Sequence, residues 1–297
     1  MKNKRLLGHI AAIFTIIVWG TTFISTKVLL TDFNTVEILF VRLIMGLMAL
    51  FIAHPHKMQG VTKKQELIFA LAGLTGISMY YFMENMALTL TMASNVGVIV
   101  SVSPMFTILL ASIFLKEEGK MRWNFFFGFL VAMLGIAFIS FNGARLQLSP
   151  VGDLLSLGCA FVWGWYSILS RKIGEFGYSV ILTTRKIFLY GILFMIPTLF
   201  FFDFDIELQL FSNTKYLLNF LYLGLCASAL CFATWNYAVS TLGAVKTSIY
   251  IYLIPVITII ASALILKEPL TWISITGTVL AISGLFLSEY RGKTKDE

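Results

Sequence analysis

The 297-residue chain is poor in charge, with Asp, Glu, Lys and Arg making up 12% of it, against about 25% in soluble domains. Too few ionic side chains are present to coat a water-covered globule, so that class is excluded. Cysteine is scarce, and Cys159, Cys226 and Cys231 lie inside apolar runs, where neither a disulfide framework nor a zinc site is expected. The histidines, His9, His54 and His56, have no metal-ligand spacing to cysteines or carboxylates. No phosphate-cradling Gly-rich loop and no Gly-x-Ser-x-Gly elbow occurs, which argues against nucleotide-driven pumping and the common hydrolase nucleophile. The chain is therefore not expected to be an enzyme, and no catalytic residue, metal or cofactor is assigned.

What fills the chain is apolar surface: 58% of residues are hydrophobic and 15% aromatic, with a mean hydropathy of +0.87. Runs of about 20 apolar residues, the length a helix needs to cross a hydrocarbon core, fall at 7–29, 34–53, 66–88, 93–115, 123–141, 152–171, 179–202, 216–239, 244–266 and 272–289. The pattern predicts an all-α integral membrane protein with ten transmembrane helices and the lipid bilayer as its solvent. The first run is too long for a signal-peptide core and lacks a small-residue cleavage site, so it is expected to stay as a span. Lys and Arg collect in cytoplasmic loops, and an N-terminus inside places 15 of the 22 basic residues on the inner side. Both termini are thus expected in the cytoplasm, with the chain in a cell (plasma or inner) membrane. The net charge of +7 then reads as topology, and no nucleic-acid partner is inferred.

The chain also echoes itself. SPMFTILLASIFLKEE, 103–118, returns as IPVITIIASALILKEP, 254–269, pairing Pro104 with Pro255, Thr107 with Thr258, Lys116 with Lys267 and Glu117 with Glu268 at a constant offset of 151. Asn85-Met86-Ala87 matches Asn236-Tyr237-Ala238 at the same offset, and Trp19-Gly20 matches Trp163-Gly164 at 144. Gly128, Ala132 and Gly135 match Gly277, Ala281 and Gly284. Two five-helix units follow, residues 1–145 and 146–297. Because five crossings is an odd number, the second unit enters from the opposite side, and such inverted repeats are a recurring plan of secondary transporters with a midplane site.

The 5+5 layout, the Trp-Gly in the first helix of each half, the proline in each fourth helix and the Lys-Glu that closes it resemble the EamA family of the drug/metabolite transporter superfamily. The resemblance covers the whole chain. It implies a multidrug or metabolite carrier, commonly an exporter of amino acids or related small molecules, with a central cavity between the repeats.

Polar side chains inside spans avoid lipid, so they mark where that cavity is expected. Thr15, Trp19, Thr22 and Thr26 form one face of the first helix, and Cys159, Trp163, Tyr166 and Ser170 one face of the sixth. Glu84, beside Tyr80 and Asn85, is the sharpest ionisable candidate: a carboxylate at this depth is paired, protonated or functional, and here it would recognise a cation or couple transport to protons. Its counterpart is Trp235, so the symmetry breaks at this point. Asn85 and Asn236 are equally suited to ligand contact and to helix–helix hydrogen bonds. Arg42 must pair or snorkel, and Glu37, five residues away, fits helical pairing poorly. Pro104 and Pro255 are candidate hinges, with Ser101 beside the first. Tyr252 shares a face with Ser248 and Pro255 and is favoured over Tyr250 for the cavity. The small-residue strips read as close helix packing, with a homodimer contact left open beside the monomer. The expected function is a secondary-active exporter of a small metabolite, an amino acid or an amphipathic or cationic compound, working by alternating access; a gated channel or facilitator and, further off, an intramembrane enzyme are the alternatives.

Overall fold

A computed structural model describes residues 2–91, 93–115, 123–140, 149–202, 204–205, 207–265 and 272–289. Lys116, Glu117, Arg145, Lys267, Glu268 and the basic C-terminal segment lie outside the described residues, as do the side chains of Ser94 and Val98. Among the described residues the elements are all helical: α1 (Lys2–Leu29), α2 (Thr35–Ala53), α3 (Lys63–Leu90), α4 (Ala93–Val100), α5 (Ser103–Phe114), α6 (Trp123–Ser140), α7 (Pro150–Gly174), α8 (Val180–Phe200), α9 (Thr214–Leu242), α10 (Ala244–Ser248), α11 (Ile254–Ile265) and α12 (Trp272–Glu289). Six of these, α1, α2, α3, α7, α8 and α9, are long and apolar enough to cross a membrane. The rest are shorter apolar helices.

Local chemistry sets several boundaries. Asn34 caps α2, its Oδ1 accepting from the amides of Val36 at 2.9 Å and Glu37 at 3.0 Å, while Glu37 Oε2 accepts from the Asn34 amide at 2.8 Å. The other Glu37 oxygen accepts from the Asp205 amide at 3.2 Å. Glu37 is thereby committed to a capping box and leaves Arg42 to find other partners.

The runs read as single spans at 93–115 and 244–266 are each interrupted. The first breaks in a turn at Ser101 and Val102 before α5, and the second runs through a 3-10 turn, Ile249–Leu253, before α11. Pro104 and Pro255 each sit second in the helix that follows. This corrects the picture of a proline bending a continuous helix: the bend precedes the ring, which occupies a first-turn position where a missing N–H leaves no bond unmade. Hydroxyls cover carbonyls around the first break, Ser101 Oγ donating to Gly97 O at 2.6 Å and Thr107 Oγ1 to Ser103 O at 3.0 Å.

Residues at matched sequence offsets meet matched neighbours. α1 packs on α9 and α11, and α7 on α3 and α5. A Cβ built on Gly20 would lie 2.7 Å from Ile257 Cγ2, and one on Gly164 3.0 Å from Phe106 Cβ. α3 and α9 each carry a π segment, Leu74–Met79 and Tyr222–Leu230, ending 151 residues apart. α6 and α12 press their small strips together, so that a Cβ on Gly135 would lie 2.4 Å from the Ala281 amide and one on Gly284 2.4 Å from that of Ala132. Backbones that close admit no side chain between them, and the strip is consumed within the chain. The main apolar core spans both halves, and a second, smaller one around Ile108, Phe125, Tyr252 and Ala281 joins α5, α6, α11 and α12.

Candidate functional site

The π segments widen α3 and α9 just before their aromatic residues, and an extra residue per turn frees backbone carbonyls and re-aims side chains. Trp19 of α1 donates its indole N–H to Ala227 O, inside the α9 segment, at 2.9 Å. That bond stands the Trp19 ring edge-on to Trp163 of α7, with centroids 5.2 Å apart, and Trp163 in turn lies 4.9 Å from Tyr80 of α3. Phe232 of α9 closes the box at 5.5 Å from Trp19 and 6.0 Å from Trp163. Edge-to-face packing at such distances holds rings in fixed orientations.

These rings wall a partly open cavity. α1, α2, α3, α4, α7, α9, the turn before α5 and the turn before α11 all contribute to it. Two opposite charges line it. Arg42 is 1% exposed; its Nε donates to Ser228 Oγ at 3.1 Å and its Nη2 to Tyr81 Oη at 3.0 Å, with the guanidinium carbon 4.3 Å from the centre of the Tyr81 ring. Glu84 is 8% exposed and accepts from Tyr80 Oη at 3.0 Å. Among the described residues no ion pair joins Arg42 to Glu84. An aromatic box holding one guanidinium and one carboxylate, each incompletely hydrogen-bonded, can receive a small amphipathic solute with polar groups of either sign.

Of the residues singled out in the sequence, Trp19, Thr22, Tyr80, Glu84, Ser101 and Trp163 line this cavity together. Asn85, Tyr166, Trp235, Asn236 and Tyr252 do not. Asn236 accepts from Tyr166 Oη at 2.6 Å and Ser170 Oγ at 2.8 Å and donates to Thr184 Oγ1 at 3.0 Å, tying α9 to α7 and α8. Asn85 is fully buried, with no hydrogen-bond partner for either amide atom among the described residues. Trp235 stands behind the box, 5.2 Å from Trp19. Tyr252 is buried in the second core, whereas Tyr250 meets His9 Nδ1 at 2.6 Å. Arg42 and its neighbour Tyr81 also line the cavity; an arginine deep in a span without a helical partner is the sequence signal that points to the first. Phe232 carried no signal, since one more phenylalanine in an apolar run looks like any other.

A model of the EamA-like transporter family matches residues 6–141 and again 150–290. The chain belongs to the EamA-like transporter family. It is thus a multi-pass membrane transporter of the drug/metabolite transporter superfamily and not an enzyme. Among similar proteins, an uncharacterized transporter of Archaeoglobus fulgidus is 23% identical, covering 94% of this chain and 96% of its own. A probable terminal-alkyne amino-acid exporter of Streptantibioticus cattleyicolor is 26% identical over 95% of this chain and 93% of its own. The uncharacterized transporter YdfC of Bacillus subtilis is 25% identical, with 96% and 92% covered. A protein solved by crystallography superposes on this EamA-like transporter with a TM-score of 0.75, covering 96% of this chain and 98% of its own at 17% identity. That likeness carries the fold alone.

Proposed function

We propose that the chain is a secondary carrier that exports a small metabolite, an amino acid or an amphipathic cation, across the cell membrane by alternating access. In this reading residues 1–145 and 146–297 are two inverted five-helix units, making ten crossings with both termini in the cytoplasm. The observation that carries the reading is the cavity between α1 and α7, walled by both halves and holding an aromatic box with one acid and one base. The matched neighbours around Gly20 and Gly164, the paired π segments and the two family matches support a two-fold plan. Such a plan supplies two states of nearly equal energy, and rocking one unit on the other switches between them.

The breaks before Pro104 and Pro255 are the proposed hinges, since loosened turns absorb changes in φ and ψ at low cost. Trp19, Thr22, Tyr80, Ser101 and Trp163 contact the solute, and Asn85, Tyr166, Trp235, Asn236 and Tyr252 hold the wall behind them. Glu84 carries the coupling: a carboxylate that takes either a proton or a cationic group exchanges one for the other. The relative named as a probable amino-acid exporter favours an amino-acid cargo.

The test is counterflow in liposomes with a panel of amino acids, with and without a pH gradient. Saturable, gradient-sensitive exchange is the expected result. Flux that rises linearly with concentration points to a channel, and absence of flux for every solute sinks the carrier. Glu84→Gln is expected to abolish the pH dependence; an unchanged pH profile removes Glu84 from the coupling.

A further inference from the structure

The least economical feature of the cavity is its pair of charges. Burying an ion costs several kcal/mol unless partners satisfy it, yet Arg42 uses two of its donor nitrogens and Glu84 one of its oxygens. A guanidinium presents five N–H donors and a carboxylate about four acceptor sites, so most of the bonding capacity of both groups is uncommitted. The two would relieve each other by direct contact, but no ion pair within 4.0 Å forms between them, and both line the same cavity. The neutral hydroxyls of Tyr81 and Tyr80 hold them instead, one on each charge.

We propose that Arg42 and Glu84 are the two poles of a zwitterion site that binds the α-carboxylate and the α-ammonium of a free apolar α-amino acid. The proposal rests on the carrier reading and narrows its substrate class. The carboxylate takes the free edge of the Arg42 guanidinium, where paired N–H groups match two oxygens. The ammonium takes the open oxygen of Glu84. The side chain then lies among Trp19, Trp163 and Phe232, which offer apolar faces and no further charge. Both poles lie in the first half, on α2 and α3, and the apolar faces of Trp163 and Phe232 come from the second. A solute bridging them contacts both units at once, which is what a carrier needs for its cargo to bias their relative position. Solutes with a single charge leave one pole buried without its complement, and so bind weakly.

Binding to the full-length protein in detergent tests this without requiring flux, because Trp19 and Trp163 in the wall report occupancy through their fluorescence. The probes are L-phenylalanine, L-leucine and L-methionine, with L-phenylalaninamide (no carboxylate) and N-acetyl-L-phenylalanine (no ammonium) as analogues. At least one free amino acid is expected to saturate the signal, and both phenylalanine analogues to bind more weakly than the parent by about tenfold or more, the loss of one charged contact. Arg42→Gln is expected to erase the discrimination against the amide alone and Glu84→Gln that against the acetylated compound alone, with Arg42→Lys restoring part of the former. Should a variant fail to fold, the analogue series on the unaltered protein still decides. The proposal is overturned by analogues that match the parent, or by no binding of any free amino acid. Discriminating binding in a protein that shows no liposome flux would uphold the site and sink the carrier.

Discussion

Positions 85 and 236 are equivalent by sequence, both are asparagine, both are buried, and they behave differently. Asn236 makes three hydrogen bonds to hydroxyls of α7 and α8, whereas Asn85 makes none among the described residues. The reason lies in their neighbours. At the places corresponding to Tyr166 and Ser170 stand Thr22 and Thr26, and the shorter Thr22 hydroxyl bonds its own helix, to Trp19 O at 2.8 Å. One residue before each asparagine the divergence widens, from a carboxylate at Glu84 to an indole at Trp235. Close contacts such as those at Gly20 and Gly164 are kept while the side chains have parted: the first half brings both charges to the cavity together with the rings of Trp19 and Tyr80, and the second half brings the uncharged rings of Trp163 and Phe232 with a locked polar network behind them. A binding site for an asymmetric solute needs such a difference, because two identical walls would present identical chemistry.

Damage to what the halves still share is expected to be the most severe. Gly135→Leu puts a side chain where even a Cβ would sit 2.4 Å from the Ala281 amide. Overpacking against backbone costs about 1–3 kcal/mol and at times more, so the yield of folded protein on size exclusion is expected to collapse. Gly97→Ala, with nothing within 4 Å of the added carbon, is the control and is expected to leave the yield unchanged. A normal elution profile for Gly135→Leu would show that α6 and α12 are not in contact.

The asparagines come next. Asn236→Ala strands the hydroxyls of Tyr166, Ser170 and Thr184, each worth about 1–3 kcal/mol if left unpaired in the interior. Relaxation of the three side chains lowers the sum, and a loss of roughly 2–4 kcal/mol in detergent unfolding is expected. Asn85→Ala removes an amide that bonds to nothing and is expected to be neutral or stabilising. Equal losses in the two variants would show that Asn85 has partners after all.

The smallest effect belongs to a tie at the end of α1, where the Tyr216 hydroxyl and, next, that of Thr31 donate to Asp32 and hold its carboxyl below the usual carboxylate range. A depressed folded-state pKa means that the stabilisation is present above the unfolded value and is lost as pH falls through the folded one. The group is fully exposed, so Asp32→Asn is expected to shift the melting temperature by a degree or two at neutral pH and by nothing at strongly acid pH. A shift that grew on acidification would have the wrong sign for this contact.

Six long spans, the class of the fold and the family all follow from the chain read as a string, because hydrophobic length and repeat spacing are local or periodic properties. Polar stripes at helical spacing marked Trp19, Thr22, Tyr80, Glu84, Ser101 and Trp163 as candidates, but equally Asn85, Tyr166, Trp235, Asn236 and Tyr252, which stand outside the cavity. Other decisions needed neighbours from distant segments. Whether Arg42 would snorkel or turn inward depended on Ser228 and Tyr81, and on Glu37 being taken by the Asn34 cap and the Asp205 amide. Which tyrosine faces what at 250 and 252 depended on the 3-10 turn, which rotates side chains about 120° per residue rather than 100°. Hydrophobic run length and repeat spacing already place this protein in lipid, with an echoed plan and a few costly polar groups. Which of those groups share a space was settled by packing between helices far apart along the chain, because burial and hydrogen-bond partnership depend on it.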